Sequence, residues 1–111
     1  MIGRRNRFHG HNALKTVYQH GTTVRGSVIS LKFNQNKRQT YRIAVVVSKK
    51  VHKSAVVRNR IRRRIYEICR KQTTTDLNGF DLVFTIFSDQ IATIEHEKLE
   101  KYVKDLLKKV A

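Results

Sequence analysis

The chain has 111 residues, 40% of them hydrophobic, with one cysteine and no proline, which suits a single domain and excludes an internal disulfide or a proline-rich linker. Its formal net charge of +16 is unevenly placed: residues 1–75 hold 19 Lys and Arg against one acid, Glu67, whereas residues 76–111 hold 5 Lys against 7 acids. A chain whose first 66 residues contain no carboxylate is suited to lying against a polyanion, and no apolar run approaches the roughly 20 residues of a membrane span.

Residues 1–10 are expected to be a flexible basic arm; no apolar stretch follows it, so it does not have the form of a secretion signal. Asn12 can cap a short helix to about His20, with Ala13, Leu14, Val17 and Tyr18 on one side and Gly21 as its stop. Thr23 to Phe33 has the β-branched content and alternation of one strand, with Ile29, Leu31 and Phe33 on one face and Ser30 and Lys32 on the other. The polar run 34-NQNKRQ-39 is a turn. Tyr41 to Ser48 is a second strand, expected at the centre of the sheet because both of its faces are mostly apolar.

A basic connector, 49-KKVHKS-54, leads into a helix that 72-QTTTDLNG-79 ends. Asp81 to Phe87 is a third strand. The last helix runs from about Glu95 to Val110, with Leu99, Val103, Leu106, Leu107 and Val110 on one face. The order α-β-β-α-β-α describes a single α+β domain spanning residues 1–111, with helices packed on one sheet.

The middle helix carries the strongest signal. Five arginines fall within the seven residues from Arg58 to Arg64. At about 100° per residue, Val57, Ile61, Ile65 and Ile68 share a sector of about 80° that docks on the sheet, with Cys69 at its margin. Arg60, Arg63, Arg64 and Lys71 take the opposite sector, with Asn59 and Arg70 beside them, while Arg58 and Arg62 flank the apolar stripe. A solvated charged face would normally mix signs for i,i+4 support, and here Glu67 is the only internal relief. Arginine outnumbers lysine six to one between residues 58 and 71, and guanidinium forks bind phosphate in bidentate fashion and stack on bases.

Nucleic acid is therefore the indicated partner. A membrane surface is disfavoured because the basic run lacks an opposing face of Trp, Phe and Leu. RNA is favoured over DNA, since the chain has no compact three-helix scaffold and an apolar sheet face with nearby aromatics suits unpaired strands.

The run 48-SKKVHKSAVVRNRIRRRIYE-67 resembles the signature of the protein subunit of bacterial ribonuclease P. The likeness extends in order along nearly the whole chain, from the helix ending in His20-Gly21 to the amphipathic final helix. It implies a ribosomal protein S5 domain 2-like sandwich, with a left-handed β-α-β crossover around the RNR helix. It also implies a cytoplasmic ribonucleoprotein enzyme that removes the 5′ leader of precursor tRNA, with the RNA subunit as catalyst.

By position, the resemblance assigns Arg58, Asn59, Arg60, Arg62 and Arg63 to the catalytic RNA, supported by Lys49, Lys50 and Lys53. It assigns Leu14, Tyr18, Lys32, Ala44, Val46 and Ser48 to a cleft for the leader, and strand alternation independently places Ala44, Val46 and Ser48 on one face. Mg2+ is expected in the holoenzyme, held mainly by RNA and not by the protein alone.

Three positions depart from the family pattern. Leu14 stands where an aromatic is usual. Tyr66 stands where Lys or Arg is usual, and either stacks on a base or covers the helix. Phe87-Ser88 replaces a basic pair, removing charge near the expected leader path.

Other chemistry finds little support. The five histidines, His9, His11, His20, His52 and His96, are scattered and make no ligand cluster, and the lone Cys69 suits the core of a protein in a reducing compartment. A nuclease acting through its own residues needs carboxylates for metal ions or an acid–base pair. The basic half offers only Glu67, and Asp76, Asp81 and Asp89 are accounted for by turns and caps. No catalytic residue is assigned to the polypeptide. The competing reading is a ribosomal protein or RNA chaperone with no processing role, which has no reason to combine the SKK…RNR spacing with a shallow sheet groove.

Overall fold

The computed structural model describes residues 11–37, 40–72 and 77–110. The basic arm at 1–10, Arg38 and Gln39 of the turn, and Asp76 lie outside these residues. Helix α1 spans His11–His20, strands β1 Thr22–Val24, β2 Ile29–Gln35 and β3 Arg42–Val46, helix α2 Ala55–Gln72, strand β4 Phe80–Ile86, and helix α3 His96–Leu107. A short 3-10 helix, Asp89–Ala92, links β4 to α3. The strands form one sheet in the order β1-β2-β4-β3. β1 pairs antiparallel with β2, β2 antiparallel with β4, and β3 parallel with β4. The α+β class and single sheet match the expectation from sequence.

Two details differ. The stretch expected as one strand from Thr23 to Phe33 folds back on itself, with Thr22 opposite Phe33 and Val24 opposite Leu31. The break falls at 25-RGSV-28, where Gly26 interrupts the β-branched run; a glycine inside a strand pattern marks such a bend. The element order is therefore α-β-β-β-α-β-α.

The second correction concerns β3, which lies at the sheet edge, while β2 and β4 are the two inner strands. Both faces of β3 are apolar because both are covered, not because both of its edges are paired. Ile43, Val45 and Val47 join the large core with α2, whereas Ala44 and Val46 turn the other way and meet Val17 and Leu14 of α1. The sheet is thus sandwiched, with α2 and α3 on one face and α1 on the other.

The helical phase expected for α2 holds. Ile61, Ile65, Ile68 and Cys69 are fully buried in the main core, and Val57 packs on its edge. Burial pushes the Cys69 thiol well above its ordinary pKa. All five apolar positions expected for α3 are buried in the same core. Fully burying a Leu or Ile side chain is worth about 1.5–3 kcal/mol, so these two stripes are a large part of what holds the helices to the sheet.

Gly21 ends α1. Its N–H donates to the Val17 carbonyl at 2.7 Å, and any side chain there would run into the backbone carbonyls of Val17 and Phe33. The other end of the sheet is tied by Asp81, which is only 7% exposed. Arg42 grips it with a fork, Nε to Oδ1 at 2.8 Å and Nη2 to Oδ2 at 2.6 Å, and Asn36 Nδ2 donates to Oδ1 at 2.8 Å. One carboxylate thereby joins β3, β4 and the end of β2. The sequence reading gave Asp81 only a turn or capping role; its bidentate partner 39 residues away is invisible to local pattern.

Candidate nucleic-acid interface

The basic surface begins where β3 ends. Lys49, Lys50 and Lys53 of the connector are exposed. Ser54 starts α2 by accepting the Val57 N–H on its hydroxyl at 3.4 Å, an N-cap contact. His52 is occupied locally: its Nδ1 accepts the Ser54 N–H at 3.0 Å.

The arginines of α2 divide by what they touch. Asn59, Arg60 and Arg63 are exposed on one side of the helix. Arg58 turns back and donates to the carbonyls of His52 and Lys53, at 3.0 and 2.8 Å, bracing the connector against the first turn. Arg62 donates to Asn59 Oδ1 at 2.7 Å and to the Val47 carbonyl at 3.4 Å, which links the helix to the end of β3.

Arg64 corrects the sequence reading, which placed it on the outward face. Its guanidinium donates to the carbonyls of Ile91 and Ile94 at 2.7 and 2.6 Å, clamping the 3-10 segment to the helix. Partial burial, followed by the nearby Arg60 charge, lowers its pKa from the usual arginine value. Farther along, Arg70 pairs with Glu67 at 3.2 Å, the internal relief expected for this helix. Tyr66 is partly buried and packs against the core.

The residues assigned to the second surface gather on the opposite face of the sheet. Register arranges that face in rows. Thr23, Lys32, Val83 and Ala44 stand side by side across the four strands, and Ser30, Thr85 and Val46 form the next row. α1 covers the Val83–Ala44 end of the first row through Val17 and Leu14. Ala44, 3% exposed, therefore supports α1 instead of lining open surface. Val46 is half-buried at the edge of this cluster, and Ser48 is exposed just beyond the strand.

Past α1 the face is open. Tyr18, 41% exposed, carries the Lys32 ammonium 5.7 Å from its ring centroid. These two residues, with Thr23, Arg25, Ser30, Thr85 and Phe87, line a hollow of about 280 Å³. Of this lining only Tyr18 and Lys32 are leader contacts in the sequence reading; Thr23, Arg25, Ser30, Thr85 and Phe87 are additions from the structure. Arg25 sits in the bend hidden within the single-strand reading, and Phe87 was weighed only as a lost cation. Ser88, its neighbour, is used locally, accepting the Gln90 N–H at 3.3 Å.

Among the described residues no group of three or more His, Cys, Asp or Glu side chains could hold a metal ion. Two histidines sit in plain structural settings: His20 is exposed in the last turn of α1, and His96 lies 3.1 Å from Glu100 on α3. No helix among the described residues is long and apolar enough to cross a membrane.

Comparison with known proteins gives the family and the fold. The family model described as Ribonuclease P matches residues 2–111. A ribonuclease P protein component from a Pseudanabaena species is 38% identical over 87 residues, covering 78% of this chain and 75% of the relative. Another, from Caldanaerobacter subterraneus subsp. tengcongensis, is 37% identical over 95 residues, covering 86% and 80%. The fold is shared with the RNase P protein from Thermotoga maritima, at a TM-score of 0.82 and 21% identity over 95% of this chain and 97% of that one. With that family's pattern running through nearly its full length, the chain belongs to the ribonuclease P protein component family.

Proposed function

We propose that this chain uses its two surfaces for two RNAs of one reaction: α2 and the connector hold the catalytic RNA of ribonuclease P, and the cleft beside α1 holds the 5′ leader of precursor tRNA. The protein component is part of an RNA-processing endoribonuclease. Within it, the polypeptide positions substrate and neutralises phosphate, and the RNA carries the bond cleavage. The observation that carries this reading is the separation of the two surfaces. Exposed Arg60 and Arg63 stand on α2 and exposed Lys49, Lys50 and Lys53 on the connector that leads into it, while an aromatic and hydroxyl-lined hollow opens on the α1 side of the sheet.

Arg58, Asn59 and Arg62 belong to the first surface both as braces and as ligands. A guanidinium has five N–H donors, and the contacts to backbone and to Asn59 use only part of each fork. Leu14 and Val46 form the apolar edge of the second surface, Ala44 supports α1 beneath it, and Tyr18, Lys32 and Ser48 supply its polar and stacking contacts. The donor set favours leaving Mg2+ to RNA phosphates, and the reaction takes place in the cytoplasm.

The test is reconstitution with a bacterial ribonuclease P RNA at low magnesium, followed by cleavage of leader-bearing tRNA. Cleavage should rise well above that of RNA alone. Without stimulation, and with equal binding to unrelated RNAs, the chain would be a general RNA chaperone or ribosomal protein.

A further inference from the structure

Three large hydrophobic side chains stand out as exposed among the described residues: Tyr18, Val56 and Phe87. Two of the three line the same hollow. Phe87 is 58% exposed, one residue past the end of β4, and its own N–H is held by the Val28 carbonyl at 2.9 Å, so the ring projects from an anchored backbone position. An aromatic left this far in water costs hydrophobic free energy, and its neighbours show what would cover it.

The floor between Phe87 and Tyr18 is polar. Ser30 and Thr85 are directly opposed across β2 and β4, in the row that α1 leaves open. A protein core would place an aliphatic pair there. Arg25 and Lys32 add two cations at the rim. Hydroxyls can bond either the donors or the acceptors of a base edge, aromatic rings accept any base face, and the cations match backbone phosphate. A nucleotide strand uses all three together, base on ring, base edge on hydroxyl and phosphate on cation, whereas in an acidic peptide only the carboxylates are matched to the cations.

We propose that Phe87 is a stacking residue for the leader, holding one unpaired nucleobase in the hollow it shares with Tyr18 over the Ser30–Thr85 pair. This rests on the reading of that cleft as the leader site. It reverses the expectation that Phe87 weakens leader binding by removing a charge: affinity lost from a phosphate contact is replaced by affinity from a base contact, which salt does not screen. A stacked base contributes roughly 1–3 kcal/mol, so loss of the ring lowers affinity by about tenfold.

The experiment measures binding of leader-bearing and leaderless tRNA to the holoenzyme across salt concentrations, for the wild type, Phe87→Ala and Phe87→Arg. Phe87→Ala should reduce the leader-bearing to leaderless affinity ratio about tenfold with no change in salt slope. Phe87→Arg should restore part of the ratio while steepening the slope by about one ion. An abasic scan along the leader adds a direct readout. Wild type should lose affinity at one leader position, and Phe87→Ala should be insensitive there.

A Phe87→Ala ratio equal to wild type, or equal abasic sensitivity in the two proteins, overturns the proposal. A wild-type holoenzyme that binds leader-bearing and leaderless tRNA alike would instead remove the leader reading, and the proposal with it.

Discussion

The two faces of this sheet offer opposite kinds of surface. On the α2 side, cations of one sign stand in water around a helix whose buried edge is aliphatic, and no hollow is needed. On the α1 side there are few charges, and the surface is made of rings, hydroxyls and a recess. In the proposed assembly the difference follows from what each face touches. Phosphates repeat along any RNA and can be gripped by charge at a distance, with affinity that falls steeply as salt rises. A base must be unstacked and covered, which takes shape and an aromatic plane.

A further contrast lies in how the side chains are held. Arg58, Arg62 and Arg64 are each fixed to backbone carbonyls outside their own helix. That leaves Arg60 and Arg63 displayed from a helix whose start and flank are braced. Much of the arginine run is framework for the rest.

Asp81 offers the largest perturbation and is common to both faces, since its carboxylate ties β3 and β4 at one end of the sheet. Asp81→Ala takes both oxygens from Arg42 and Asn36 and should cost about 3 kcal/mol, as expected when one partner of a buried ion pair is removed. The two functions should fall together, in proportion to the unfolded fraction, when thermal melting and both RNA affinities are measured. Selective loss of one function at full stability would break the idea of a shared scaffold.

Arg64→Ala and Arg60→Ala separate framework from display on one helix, four residues apart. Arg64→Ala should destabilise the fold by about 2 kcal/mol, through two lost hydrogen bonds from a charged but only partly buried donor. Its effect on the salt slope of RNA-subunit binding should be small. Arg60→Ala should leave the melting temperature nearly unchanged, weaken RNA-subunit binding about tenfold at moderate salt, and reduce the slope by about one. If both variants changed the slope equally, Arg64 would be an RNA ligand and the division would be wrong.

That division also marks where the sequence stopped being informative. Period 3.6 placed Ile61, Ile65 and Ile68 correctly because burial follows helical phase. Phase alone also put Arg64 outward, since the carbonyls of Ile91 and Ile94 lie 27 and 30 residues away. The alternation in β3 separated Ile43 and Val45 from Ala44 and Val46, but it carried no information on which edge was paired. Ala44 itself was legible as facing the cleft and not as being closed over by Val17. The hidden bend at Gly26 had a local signal, a glycine in a strand, and through it Arg25 enters the hollow.

The smallest effect tests the cleft alone. Tyr18 is less exposed than Phe87 and already carries Lys32 over its ring, so a base gains less from it than from a ring standing open in water. Tyr18→Ala should therefore weaken holoenzyme binding of leader-bearing tRNA only about fivefold, ~1 kcal/mol at the low end for a stacked base, and raise the apparent KM by a similar factor. RNA-subunit assembly and its salt slope should stay at wild-type values, because the ring faces away from α2. Tyr18→Phe should retain most of the affinity, since the stacking plane and the cation–π contact both survive without the hydroxyl. If Tyr18→Ala weakened assembly as strongly as Arg60→Ala does, the sheet would not separate two RNA sites, and both faces would belong to one continuous interface.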